Sequence, residues 1–289
     1  MRTLDEVVAR ALGEPVTSTA RVHGGDTASS HRVVLASGRV VFAKTHADPP
    51  PAFFGTEAAG LRWLAEPAAV PVPEVLAVGD GGAEEPPHLV LAWIEEGAAR
   101  PGTEAALGRA LAALHASAPE AFGRQDRRTT GSRALPNEPC ATWAEFYATQ
   151  RLAPLARLAR DAGALAPAAV AQLDRLDIDR LAELGGPPEP PARLHGDLWA
   201  GNRLVDRAGR SWLIDPAAHG GHREFDLAMM RLFGGFGEAC FAAYHEARPL
   251  APGWRERIPL HQLAPLVVHA VKFGGGYRDA VDAALRAVS

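Results

Sequence analysis

Leu194-His195-Gly196-Asp197-Leu198-Trp199-Ala200-Gly201-Asn202, followed by Leu213-Ile214-Asp215-Pro216, places two carboxylates and an amide where metal-nucleotide chemistry needs them. Asp197 is positioned to accept a proton from a substrate hydroxyl. Asn202 and Asp215, the latter at the end of a short apolar run, are positioned to hold a magnesium ion that bridges nucleotide phosphates. An isolated His-x-Asp is a weak signal, because an aspartate before an apolar residue often only turns the chain by bonding its own backbone. The Asn five residues after the Asp, with a later Ile-Asp-Pro, is far harder to obtain by chance, and the set reads as a phosphoryl-transfer centre.

The residues before this segment supply the remaining parts in order. Val33-Val34-Leu35 and Val40-Val41-Phe42-Ala43-Lys44 flank Ala36-Ser37-Gly38-Arg39, a hairpin pattern. Ahead of it, Arg21 to Ser30 is a small-residue loop in which Gly24 and Gly25 permit close backbone approach to phosphates. Lys44 at the strand end and Glu57, on a helix read from about Phe53 to Leu64, form the pair in which a glutamate aims an ammonium at the nucleotide phosphates. A strand-end lysine and a solvated helix carboxylate would be the ordinary reading of either residue alone; their order in the chain decides otherwise. Pro71 to Gly79 and His88 to Ile94 read as two further strands, and Leu4, Val7, Val8 and Leu12 as a first short helix stopped at Gly13. The sheet is therefore expected before residue 95 and the helices mostly after it. Trp93 to Gly97 is the expected hinge; in a kinase-like fold its backbone, at Trp93 and Ile94, would contact adenine.

Beyond the hinge, Thr103 to His115 carries a helical stripe, with His115 read as a packing or capping residue. A second stripe, Trp143 to Leu155, is expected to break at Pro154. Arg124 to Glu138 reads as a mobile surface loop and Gly185 to Pro191 as a stiff connector.

With 289 residues, 47% hydrophobic, the chain can bury a sizeable core. A net charge of -4 gives no strong field toward nucleic acid or an anionic membrane. Cys140 and Cys240 are too far apart in sequence to suggest a framework and read as free thiols. Acidic Asp5 and Glu6 stand where a signal peptide would be apolar, and no apolar run reaches the roughly 18 residues of a membrane span. A cytoplasmic enzyme is expected, monomeric or weakly dimeric, with neither nucleic acid nor membrane as partner.

The run His195 to Phe236, with Ile214-Asp215-Pro216-Ala217 and Gly221-His222-Arg223-Glu224-Phe225-Asp226-Leu227-Ala228-Met229, resembles the fructosamine kinase (ketosamine 3-kinase) family. That family belongs to the aminoglycoside phosphotransferase-like branch of the protein-kinase-like fold. Glu57 to Leu64 and Phe273-Gly274-Gly275-Gly276-Tyr277 extend the resemblance over nearly the whole chain. It implies an α+β bilobal fold. Residues 1–94 would form an N-terminal nucleotide lobe, an antiparallel sheet with one main helix, and residues 95–289 a larger helical catalytic lobe. It implies an ATP- and Mg2+-dependent kinase acting on a sugar hydroxyl of small-molecule or protein-bound ketoamines, a deglycating repair activity. By position, Asp197 is then the base, Asn202 and Asp215 the metal ligands, Lys44 the phosphate contact and Glu57 its partner. Trp199 and His269 become substrate contacts, and Asp226 the anchor of the catalytic-loop backbone; structural roles are expected for His222 and Arg223.

Two departures bear on specificity. Asp26 replaces a cysteine common in the family, so a redox-linked dimer is not expected. Ala217-Ala218-His219 stand where aromatic residues are common, which suggests a reshaped acceptor pocket. An aminoglycoside- or choline-type kinase of the same fold is the competing enzyme reading. A catalytically silent nucleotide-binding protein is the reading from another class, and the intact set of Lys44, Glu57, Asp197, Asn202 and Asp215 disfavours it.

Overall fold

Residues 2–22, 28–127, 129–130 and 134–288 are described by the structure, a computed structural model. Its sheet grows from the valine-rich hairpin: β2 (Ser29–Leu35) pairs antiparallel with β3 (Val40–Thr45), Val33 opposite Val41. With β1 (Val16–Val22), β4 (Val75–Gly79) and β5 (His88–Ala92) the order is β1-β2-β3-β5-β4, antiparallel throughout. Alternation along β3 puts Val41 and Ala43 on one face and Phe42 and Lys44 on the other. The first face packs against α1 (Leu4–Leu12) through Val8, Val33, Leu35 and Val90. Thr3 and Glu6 cap α1 reciprocally, and Gly13 ends it in the left-handed region. The second face receives α2 (Phe53–Ala65), whose Phe54, Ala58 and Leu61 pack on Leu89 and Leu91. The expected strand from Pro71 begins only at Val75, because prolines 71 and 73 cannot donate to a ladder.

The chain then passes to the helical half. Gly97 N–H donates to Val205 O (2.8 Å) and Arg207 N–H to Glu95 O (3.2 Å), so the segment after Ile94 is tied to the far half. There follow α3 (Thr103–Ala116), the short hairpin β6 (Thr129–Thr130) and β7 (Leu135–Pro136), and α4 (Trp143–Phe146). A π-helical turn (Tyr147–Leu152) leads into α5 (Ala153–Asp161), and α6 (Pro167–Asp174) and α7 (Ile178–Leu184) complete this part. The expected break at Pro154 does not occur. The π turn runs directly into α5, with Ala153 N–H donating to Ala148 O, and carries the chain through Pro154, which stands in the first turn of α5; the Arg151 guanidinium donates to Gln150 O (2.9 Å). Nor is Arg124 to Glu138 simply a surface loop: Arg124, Thr130 and Asn137 are buried. Arg124 lies over the Trp63 ring, and Asn137 accepts from Arg151 (3.0 Å).

Four short strands carry the segment around Asp197: β8 (Ala192–Leu194), β9 (Arg203–Val205), β10 (Ser211–Leu213) and β11 (His219–Gly221), paired β8 with β11 and β9 with β10. Then come α8 (Glu224–Phe233), α9 (Glu238–Ala247), α10 (Ile258–Phe273) and α11 (Gly276–Val288). One apolar cluster, including Leu111, Leu198, Leu213, Leu227 and Tyr244, lies directly beneath the Asp197 loop. The larger one joins α4 to α7 with α10 and α11. His222, Glu224 and His261 form a buried polar knot between α8 and α10. Arg257 donates to both Glu224 oxygens (2.9 and 2.6 Å), which commits that carboxylate to a guanidinium. No helix among the described residues is long and apolar enough to cross a membrane.

Candidate active site

The Asp197 loop is held from below by Asp226, on the first turn of α8. The His195 and Gly196 backbone N–H groups donate to its two oxygens (2.8 and 2.9 Å). His115 of α3 donates from Nε2 to the same carboxylate (3.2 Å) while its Nδ1 accepts from Tyr244 Oη (2.9 Å). Burial keeps His115 neutral, and that tautomer satisfies every atom of the chain Tyr244-His115-Asp226. Burial also opposes ionisation of Asp226, but the bonds from His115 and the backbone prevail and hold its pKa below the usual range.

His195 ties the loop to the second half of the site. Its Nε2 donates to Ile214 O (2.9 Å) and its Nδ1 accepts from Asp197 N–H (3.3 Å). Ile214 N–H donates to Asn202 O (3.0 Å). Gly196 makes the approach possible: its φ is +80°, and a Cβ there would lie 2.1 Å from Ala217 O.

Within this frame the Asn202 side-chain nitrogen donates to Asp197 Oδ2 (3.0 Å) and to Asp197 O (2.8 Å). Its carbonyl oxygen is thereby the atom left to meet a cation. Burial pushes the Asp197 carboxyl up to about 7; the Asn202 bond offsets part of this, and the nearby Asp215 charge adds to it. Asp215 has a φ of +53°, unusual for a residue with a side chain and best tolerated by Asn and Asp. Its carboxylate pairs with Lys44, which also donates to Glu57 (2.8 Å). Burial alone would lower the Lys44 pKa, but the two carboxylates outweigh it and raise it. Asp215, only about a third exposed, is in turn held low against burial by Lys44. Lys44 from β3, Glu57 from α2 and Asp215 after β10 thus meet at one point, as their order in the chain suggested.

A cleft of about 630 Å³ opens over these residues. Trp93 and Ile94 line its sheet side, and Asp197, Asn202 and Asp215 its floor. Trp199 lies at its mouth, 41% exposed, with its indole laid over Gly201, where a Cβ would come 2.3 Å from the ring. Phe233 meets Trp199 edge-on (6.3 Å between centroids) and His269 at 4.8 Å. His269 lines the cleft and is fixed by Nδ1 to Pro265 O (2.8 Å). Gly24, Gly25 and Asp26 lie outside the described residues.

The expectation for residues 217–219 needs correction. Ala217 lines the cleft, but Ala218 and His219 are buried, His219 between Phe146 (5.5 Å) and Phe225 (5.8 Å). Burial presses its pKa to about 3, so His219 is a neutral core residue. Among the cleft residues that escaped the sequence reading are Thr130, Lys272 and Phe273 as a lining side chain. Lys272 had a usable signal, because it stands one turn beyond His269 on the same helix face.

A family model described as Fructosamine kinase matches residues 1–288. The chain is 36% identical over 261 residues to a "Probable ketoamine kinase" of Lactiplantibacillus plantarum, covering 90% of each chain. A solved structure from Thermobifida fusca, named as a candidate fructosamine-3-kinase, is 40% identical and superposes with a TM-score of 0.90 over 99% of this chain and 98% of that one. An aminoglycoside phosphotransferase in complex with ADP and hygromycin B, 18% identical, aligns with a TM-score of 0.65 over 99% of each chain; that likeness speaks for the protein-kinase-like fold alone. The chain belongs to the fructosamine kinase family.

Proposed function

We propose that the protein transfers the γ-phosphoryl group of ATP to a sugar hydroxyl of a ketoamine, with residues 1–94 forming the nucleotide lobe and 95–289 the catalytic and acceptor lobe. The observation that carries this reading is the meeting of Lys44, Glu57, Asp197, Asn202 and Asp215 around one cleft. Asp197 takes the hydroxyl proton as the sugar oxygen bonds to phosphorus, and the bond to the β-phosphate oxygen breaks with its electron pair going to ADP. Lys44 holds the phosphates, oriented by Glu57, once its pairing with Asp215 is relaxed. The Asp215 carboxylate and the Asn202 amide oxygen are hard oxygen donors that suit Mg2+. That ion, when bound, would neutralise charge on the phosphates. Trp93 and Ile94 flank the adenine. Trp199 presents its face to the acceptor's amine, an attraction worth about 0.5 to 2 kcal/mol, and His269 contacts the sugar.

The test is magnesium-dependent phosphorylation, read by product mass, of fructosyl-lysine, ribulosyl-lysine, an aminoglycoside and choline, with Asp197→Asn as the blank. Phosphorylation of the ketoamines alone is expected, with turnover of the Asn variant lower by orders of magnitude and its nucleotide binding nearly intact. Turnover of only the aminoglycoside or choline would overturn the acceptor class while leaving the phosphoryl-transfer assignment in place.

A further inference from the structure

Among the described residues three large apolar side chains are exposed: Ile178, Trp199 and Phe273. A single such side chain on a helix surface, as Ile178 is on α7, is ordinary. Two lining one cleft are not, because exposed apolar area gathered at one place marks where something binds. Phe273 is 52% exposed and is the last residue of α10. Gly274, at φ +64°, stops the helix with its N–H on Ala270 O (3.0 Å) and leaves the Phe273 ring at the rim. Rings run from there back to Trp199. Phe273 lies 5.6 Å from His269, His269 4.8 Å from Phe233 and Phe233 6.3 Å from Trp199, centre to centre, with Tyr277 of α11 6.0 Å from Phe273. Pro265 and Val268 of α10 line the same cleft.

We propose that Phe273 and the rings joining it to Trp199 form an apolar subsite for the group carried on the acceptor's amine, so that ketoamines of aromatic amines are preferred over ketoamines of small ones. This rests on the ketoamine reading given above. With the reacting hydroxyl at Asp197 on the cleft floor and the amine toward Trp199 at the mouth, the amine's substituent leaves the site along the row of rings that ends at Phe273. Those rings are already packed on one another, so a flat apolar group gains contact there while little side-chain freedom is lost. A methyl group stops short and leaves the Phe273 ring in water.

The experiment compares the fructose ketoamine of methylamine with that of phenethylamine in the parent enzyme, Phe273→Ala and Phe273→Leu. Both compounds carry the same single charge, so the Lys272 ammonium, 4.8 Å from the centre of the Phe273 ring, acts on them alike. The parent is expected to favour the phenethylamine compound by about tenfold in kcat/KM, the scale of one aromatic pair together with the area it buries. Phe273→Ala is expected to abolish that preference by raising KM for the phenethylamine compound, and Phe273→Leu to keep part of it. An unchanged preference in Phe273→Ala overturns the assignment. So does an equal loss on both acceptors with a raised KM for ATP, which would place Phe273 on the nucleotide. A parent that sediments as a dimer beside a monomeric Phe273→Ala would seat a second copy on the ring and overturn it as well. Equal turnover of the two compounds by the parent overturns the subsite alone, whereas turnover of neither overturns the ketoamine reading together with it.

Discussion

Asp226→Asn tests whether the Asp197 loop is held by one buried carboxylate. Asp226 is fully buried and accepts three hydrogen bonds, from His195 N–H, Gly196 N–H and His115 Nε2. Asparagine keeps the shape but supplies one acceptor oxygen, so one backbone N–H faces an amide N–H at hydrogen-bond distance. A charge-assisted bond contributes about 1.5 to 3 kcal/mol and an unsatisfied buried donor costs about 1 to 3 kcal/mol. Relief from burying a carboxylate offsets part of this, leaving a net loss of about 3 kcal/mol. With an unfolding entropy of roughly 2.1 cal/mol/K per residue, a chain of 289 residues loses about 5 °C in Tm. Asp197 follows Gly196 directly, so the loop shifts with it, and a displacement of about 1 Å costs about a hundredfold in kcat. Thermal unfolding of the purified variant and steady-state kinetics on the best ketoamine check both numbers. A variant that melts within about 1 °C of the parent and keeps most of its kcat would refute the reasoning, because the backbone bonds would then carry no weight.

The free enzyme's kcat/KM should rise with pH through a value about 7. Asp197, displaced upward mainly by burial, holds its proton below that pH and cannot act as base. At saturating magnesium and ATP the same limb should move to lower pH, because a cation beside Asp197 favours its ionised form; a limb that stays put would separate it from Asp197. Lys44→Met should lower kcat/KM for ATP by about a hundredfold or more, since it removes the ammonium that Glu57 and Asp215 hold; retained ATP efficiency would sink that role. Gly201→Ala places a methyl 2.3 Å from the Trp199 ring and must displace it. KM for the ketoamine should rise about tenfold with KM for ATP unaltered, and a rise in both would argue against Trp199 as the acceptor's platform.

The phosphoryl-transfer set was legible in the chain because its chemistry needs particular residue types at short, nearly invariant spacings. His195 to Asn202 closes on itself through neighbouring backbone atoms, so its meaning travels with the local sequence. The valine-rich hairpin and α2 were equally readable, since period-two and helical apolar patterns are local properties. Whether a side chain faces the cleft or the core is set by packing between distant segments, and there the sequence ran out. Residues 217 to 219 read as one pocket wall, yet pairing of β11 with β8 turns His219 between Phe146 and Phe225 and leaves Ala217 alone at the cleft. Pro154 read as a break because its rule concerns a regular α-helix, whereas a π-helical turn precedes it and leaves it in the first turn of α5, where a proline is tolerated. Thr130 and Lys272 reach the cleft only because a hairpin after α3 and the end of α10 converge on it. The chain by itself determined which chemistry is present; long-range burial decided which side chains surround it, because removal from water rewards a surface assembled from segments that sequence distance does not relate.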